Sequence, residues 1–405
     1  MTGLAPPPER FQRMSAYFLA FIMAIGILVM FILRLWINPS LFQAFLFLLG
    51  AAWAAALTIR PFQLRFSPVL IPLSAAVLWG LFQLAAGYTT GRTDTRVAML
   101  AWTGNLLACF LAMQICESSR IRRRFLDIVL YFAFVLSVVS VVQYFSWEGK
   151  IFWFYETYDT ATLGPFLNRG QEAVFIEMTL PLALVKTLRG GPQSLRFAVM
   201  GAAMYASVIV GASRAGALLA TAEIVVIPAI LLVKGRLGSA KLRSATINVW
   251  LLAVVFVAVA GWAVVWSRFE DPDPLKGRRE MLAATVSMIR AKPLVGFGLG
   301  TFQRAYPAYG LVDFGSVVNH AHNDWAEWTA DGGIPFCLLM VWIAVWSLPK
   351  AFRTIWGVGV ITAFVHSGVD FALQKTVLEL WLFVLIGVMA AETGSNREVQ
   401  RRDLL

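Results

Sequence analysis

The sequence predicts an all-α, polytopic membrane protein with about twelve transmembrane helices and a large external loop, containing short helices, between the ninth and tenth spans. Three observations lead there. The 405 residues could otherwise hold two or three soluble domains, yet 59% are hydrophobic, 14% are charged and the mean hydropathy is +0.71. Apolar runs of about 15 to 21 residues recur along the chain, long enough to cross roughly 30 Å of hydrocarbon when flanking residues snorkel. Lys and Arg concentrate in alternate connecting segments, as expected when cytoplasmic loops carry the excess of positive charge.

The expected spans, in order, are 17–33, 41–58, 68–86, 97–115, 125–145, 173–188, 197–212, 216–233, 249–266, 334–348, 355–371 and 377–391. With the N-terminus inside, the basic residues fall mainly on the cytoplasmic side, so both termini are expected in the cytoplasm. RIRRR at 120–124 and the loop 234–243 are the strongest anchors, and they also fit contacts with anionic lipids. A net charge of +11 therefore needs no nucleic acid to explain it. Cys109, Cys116 and Cys337 lie in or beside spans without CxxC spacing, which points to neither zinc nor a disulfide frame. The first span lacks a small-residue cleavage site, so no cleaved signal is expected. The whole chain, 1–405, reads as a single transmembrane domain.

Two external segments interrupt the short loops, 146–172 and 267–333. Function concentrates in such loops. The longer begins with a Pro-broken polar lead, followed by a helix expected over 277–291. Leu282, Val286 and Ile289 form its apolar stripe, and Arg278, Arg279 and Arg290 carry charge. That helix would lie on the membrane surface or cap the bundle. A second short helix should start near Asn323 and stop at Gly332 and Gly333, with Pro335 opening the tenth span.

The chemistry concentrates in NHAHNDWAEWTADGGIPF, 319–336, where two of three histidines stand beside an amide, carboxylates and two tryptophans. His322 is the residue best matched to taking a proton from a hydroxyl near neutral pH. The following helix N-terminus disfavours its charged form, and Trp325 and Trp328 are expected to wall it from water. His320 and His322 can instead simply bond the loop to the bundle; as an HxH metal pair they lack further ligands at recognisable spacing. Arg214, in GASRAG, sits at the turn between the seventh and eighth spans, where a guanidinium needs an anionic partner or must snorkel. Arginine also grips phosphate as a fork, so a lipid-linked diphosphate fits it. Arg278 and Arg279 open the surface helix, where the dipole does not welcome a cation, and so call for an anion or a loop carboxylate; Arg169, in GPFLNRGQ, is similar.

Other patterns are weaker. Asp271 and Asp273 form a DxD flanked by prolines, read as a solvated turn more readily than as a cation site. GFGLG at 296–300 follows a helix where a nucleotide loop would follow a strand, and no GKS or GKT is present, so it makes a turn. His366 and Asp370 stand four apart in the eleventh span, hence on one helix face, where they pin two helices or relay a proton.

These residues together resemble the O-antigen ligase and polymerase superfamily, integral glycosyltransferases of the bacterial inner membrane. The resemblance covers roughly 164–387 through GPFLNRGQEAVFIEMTLPLAL, GASRAG, GRREMLAATVSMIRAKPLVGFGLGTF, NHAHNDWAEWTADGGIP and HSGVDFALQK. Ligases of this kind read His-Asn, nine residues, Gly, two residues, then a small residue or Tyr. His322, Asn323 and Gly333 fit, while Phe336 replaces the last member. Members often read Asn-Arg-Asn-His where this chain has Asn168, Arg169, Gly170 and Gln171. The resemblance implies transfer of a glycan from undecaprenyl diphosphate to a lipid or glycolipid acceptor, without nucleotide sugar, metal or other cofactor. It implies His322 as general base and Arg214 and Arg278 as donor-diphosphate ligands, with Arg279, Arg169, His320 and Asn323 as further substrate-binding candidates. A ligase acting on lipid A-core is the leading expectation, and a polymerase extending the lipid-linked chain is the alternative. A glycolipid flippase also fits twelve spans, but transporters hold their decisive groups near the midplane, and here they cluster at one face.

Overall fold

The computed structural model describes residues 5–31, 37–146, 150–157, 162–235 and 276–402, apart from 311, 313, 314 and 316. Helices make up 75% of it: α1 Glu9–Leu28, α2 Ile37–Ile59, α3 Leu70–Ala86, α4 Arg92–Ile115, α5 Ser119–Phe145, α6 Arg169–Leu188, α7 Ser194–Val210, α8 Arg214–Val233, α9 Lys276–Ala291, α10 Phe302–Ala305, α11 Asp324–Thr354, α12 Val358–His366 and α13 Thr376–Arg402. A two-stranded antiparallel ribbon, β1 Lys150–Ile151 and β2 Tyr155–Glu156, follows α5.

Seven of the described helices are long and apolar enough to cross a membrane, and they answer to the first, second, fourth, fifth, eighth, tenth and twelfth expected spans. These helices make the chain a multi-pass membrane protein. The third and seventh expected spans are apolar helices of 17 residues. The sixth is the 20-residue α6, in which Arg169, Glu172, Glu177 and Lys186 interrupt the apolar sequence. The ninth, 249–266, lies outside the described residues, as do Asp271 and Asp273. The eleventh differs from expectation: α12 has only nine residues. Apolar composition over 355–371 was read as continuous helix, but Ile355 is left-handed at φ 68 and breaks the chain before α12. Beyond His366 a turn through Ser367 and Gly368 leads into a 3-10 turn, Ala372–Gln374.

Two helices form the centre. Nearly every residue of α6 is buried, and α13 is buried along its apolar length, packing chiefly against α4. Such all-round apolar helices belong inside a bundle. The helices around them turn large apolar side chains outward, Leu78, Leu218, Leu338 and Val345 among them, which in this class of protein is the lipid-facing surface.

α11 is two helices joined at Gly333, whose φ of 71 and ψ of 177 lie outside the helical region. The break has two causes. This conformation is essentially restricted to glycine, and Ile334 N donates across to Pro293 O at 2.8 Å instead of continuing the ladder. A side chain at 333 would also collide with the Leu294 carbonyl. The short first half, 324–332, is thereby tied sideways to α3: Trp79 Nε1 donates to Gly332 O at 2.7 Å, and Gln83 Nε2 donates to Asp331 O at 2.9 Å. GFGLG makes the turn beneath them, with Gly296, Gly298 and Gly300 all at positive φ. Gly333→Ala is expected to cost about 1–3 kcal/mol, measured as a lower midpoint of thermal unfolding of the detergent-solubilised chain.

Candidate active site

At one end of the bundle the starts of α6, α11 and α13 meet around a cavity of about 540 Å³. Asn168 and Gln171 of the α6 start, Asn319, His320 and His322 of the segment before α11, and Phe371 and Lys375 before α13 line it, with Met30, Leu167, Met281, Val317 and Val318 supplying apolar wall. Each helix start is set by a local cap. Asn168 accepts from Gly170 N at 2.7 Å, and Asn323 accepts from Ala326 N at 2.9 Å, the use of Asn expected at an N-cap.

His322 stands just before the Asn323 cap, with a left-handed backbone at φ 52. Such a conformation is uncommon outside glycine, although histidine adopts it more readily than most residues, and it clusters at functional positions. Its Nδ1 faces Asp370 Oδ1 at 3.6 Å. With Nδ1 buried and the ring one-quarter exposed, the accessible edge is the one carrying Nε2. The aromatic ring beside it is not Trp325 or Trp328, as three- and six-residue spacing implied. Those two pack on each other, and Trp325 Nε1 donates to Phe364 O at 3.0 Å. α11 turns its first tryptophans toward α12, leaving the place beside His322 to Phe371, 4.6 Å away edge-on.

Asp370 is the hub. Besides His322 it meets Arg278, whose Nη2 lies 3.7 Å from Oδ2 while Nη1 donates to Val369 O at 3.0 Å. Phe371 N donates to Asp370 Oδ1 at 2.8 Å. Burial alone pushes this carboxyl up, but the bond to His322, the Arg278 guanidinium and the Phe371 amide together hold it below its ordinary value. α6 comes close because residue 170 is glycine: a methyl group there would collide with Asp370 Oδ2.

The other expected residues divide. His320 stacks on Phe371, with centroids 4.6 Å apart, and pairs through Nδ1 with Glu327 at 2.9 Å. Glu327 also accepts from Ala321 N at 2.7 Å, so one buried carboxylate shapes the loop. Asn323 does not line the cavity; its Nδ2 donates to Gly368 O at 2.7 Å, stitching α11 to the segment that carries Asp370. Arg278 holds Asp370 and, like Arg279, Arg169 and Arg214, lies outside the cavity lining. Arg169 and Arg214 begin α6 and α8, at the same end of the bundle.

His366 and Asp370 take different partners. His366 Nδ1 meets Glu177 of α6 at 2.8 Å, deep in the bundle, whereas Asp370 turns to His322. Reading both on one helix face presumed that the helix continued past His366. Sequence reasoning passed over Glu177, Glu327, Asp370 as the partner of His322, Phe371 and Lys375. Lone carboxylates in apolar runs are the signal for Glu177; the others depend on chain segments meeting across the fold. At Lys375 burial lowers the ammonium from its ordinary range, with the Glu327 carboxylate pulling the other way.

The family model described as O-Antigen ligase matches residues 199–341, so over that stretch the chain is similar to the O-antigen ligase family. The matched region includes Arg214, Arg278, His320 and His322 and stops short of Asp370 and Lys375. No curated protein matches the chain.

Asp370→Asn gives a pH test with a definite sign. A carboxyl with a lowered folded value stabilises the fold above its ordinary value of 3.8 and loses that contribution as pH falls through the lowered one. The difference in unfolding midpoint between the wild type and Asp370→Asn should therefore narrow as pH falls below about 4.

Proposed function

We propose that this chain is a member of the O-antigen ligase superfamily and a glycosyltransferase that moves a glycan from undecaprenyl diphosphate to a hydroxyl of a lipid A-core acceptor. It works in the bacterial inner membrane, with both termini cytoplasmic and the cavity opening to the periplasm. The observation that carries this reading is the His322–Asp370 pair at the wall of a cavity large enough for a sugar and its leaving group. An imidazole whose Nδ1 faces a carboxylate at 3.6 Å is oriented with Nε2 toward the accessible side, and a neutral ring keeps a lone pair there, the arrangement of a general base.

In the proposed reaction the acceptor O–H gives its proton to His322 Nε2 while its oxygen bonds to the anomeric carbon. The bond from that carbon to the diphosphate oxygen breaks, and its electron pair leaves with undecaprenyl diphosphate. Attack from the face opposite the leaving group inverts the anomeric centre. Asp370 steadies the imidazolium until it passes its proton to water. Diphosphate is already a good leaving group, so the protein's tasks are positioning and charge compensation. Neither a metal nor a nucleotide sugar is called for. Arg214 remains a proposed donor ligand. For Arg278 the bonds to Asp370 and Val369 O support orientation of the base instead.

With purified protein, lipid-linked donor and acceptor, His322→Ala should lower transfer by about 10²–10⁴-fold while the protein still purifies as folded material; full activity would reject the base. Turnover should be insensitive to chelators. Arg278→Ala should lower kcat with little change in donor KM, and Arg214→Ala should raise donor KM. A deletion strain separates ligase from polymerase: loss of a ligase accumulates long lipid-linked chains, whereas loss of a polymerase leaves single repeats on the acceptor.

A further inference from the structure

At the end of the bundle opposite the candidate site, the starts of α1 and α5 enclose a second cavity, of about 300 Å³. Its position follows from the chain. α5 runs from its basic start toward the ribbon that leads into α6, and Arg122 of its first turn meets Glu392, near the far end of α13, at 3.6 Å. Helical geometry divides the RIRRR run at this place. Arg122 turns inward, where its Nη1 also donates to Cys116 O at 3.1 Å, and Arg123 folds back to donate to Ser119 O at 3.2 Å. Arg120 and Arg124, four residues apart and hence on one helix face, line the cavity together with Arg13 of α1.

Three guanidiniums and one carboxylate, Glu9, leave this wall with two net positive charges. Glu9 pairs with Arg120 at 3.5 Å, and Arg124 Nη1 donates to Tyr17 Oη at 3.3 Å. A phenol that accepts in this way keeps its own proton for a further acceptor. Like charges four residues apart weaken a helix, and cations at a helix start are opposed by its dipole; an anion in the cavity offsets both. Below the charges the wall is apolar. Ile121 and Phe125 are buried, and Ile128 continues the wall along α5. Both helices are long and apolar enough to cross a membrane, and α1 turns Met14 and Phe21 outward beside the cavity. A cationic rim above an apolar wall, between two helices of membrane length, matches a phospholipid with a negative head. A soluble phosphate would use the rim alone.

We propose that Arg13, Arg120 and Arg124 hold the phosphate of an anionic phospholipid from the leaflet at this end, with the start of an acyl chain along Phe125 and Ile128. The full chain, in phosphatidylcholine nanodiscs with a rising fraction of phosphatidylglycerol, would be read by native mass spectrometry for bound anionic lipid. Phosphatidylglycerol should be retained over phosphatidylcholine. Arg120→Gln combined with Arg124→Gln should lower its apparent affinity about tenfold to thirtyfold. A charge-matched control, Arg10→Gln combined with Arg123→Gln, removes two arginines from the same end without touching the cavity wall. It should change the affinity less than about twofold, because exposed charges outside a site are screened. In the wild type, a phosphatidylglycerol with a photoreactive diazirine at the start of one acyl chain should label the cavity segments 13–17 or 120–128, a measurement that needs no variant.

Labelling of these segments that unlabelled phosphatidylglycerol displaces, together with loss of affinity in the cavity variant alone, supports the site. Equal loss in both double variants overturns it in favour of diffuse surface charge, and labelling confined to other helices does the same. Equal retention of phosphatidylcholine would reject the anionic head. Glycerol 3-phosphate competing as well as the phospholipid would reject the lipid and leave a soluble phosphate ester as the occupant. None of these measurements requires glycan transfer, so the site stands or falls independently of the glycosyltransferase reading.

Discussion

The candidate site of this protein depends on one buried carboxylate. Asp370 accepts from the amide of Phe371, pairs with the guanidinium of Arg278 and faces Nδ1 of His322 at 3.6 Å, and α6 closes over it at Gly170. Four segments distant in sequence therefore share a single negative charge. A carboxylate in so little water is tolerable only because these donors surround it, and the same donors fix where it points. The imidazole inherits its orientation from that arrangement, since its own backbone is left-handed and its loop is shaped by Glu327.

A second polar cluster lies deeper. Glu177 and His366 pair between α6 and α12, Glu172 accepts from Ser207 of α7 at 2.6 Å, and Glu223 of α8 sits near Thr362. Polar groups inside an apolar bundle have few partners available, so each pairing restricts which helices can be neighbours. The short α12 needs this most, being too brief to be held by apolar area alone. Its pairing with α6 fixes the turn that follows, which is the turn bearing Asp370.

Much of the architecture could be read from the chain because hydrocarbon-length apolar runs leave few alternatives. The spans over 17–33, 97–115, 125–145 and 377–391 all coincide with long helices. The short helix capped by Asn323 and broken at Gly333 was also legible, since cap and breaker residues act locally. The eleventh span failed for the complementary reason: its composition is apolar, but a left-handed Ile355 and the turn after His366 answer to packing against α6 and α11. In the candidate site, His322 was singled out by its chemistry. Its partner was not, because Asp370 seemed committed to a helix face shared with His366. Trp325 was placed beside the imidazole by spacing, yet the direction a side chain takes from a helix start depends on what lies opposite.

The kink at Gly333 has a consequence for biogenesis. It lets the short segment after His322 lean on Trp79 and Gln83, partners separated from it by 253 and 248 positions for the two bonds, while Asp370 and Lys375 arrive only with the final helices. A nascent chain that stops before residue 370 therefore lacks the carboxylate that faces His322. The turn between α12 and α13 is the piece that closes the cluster around His322.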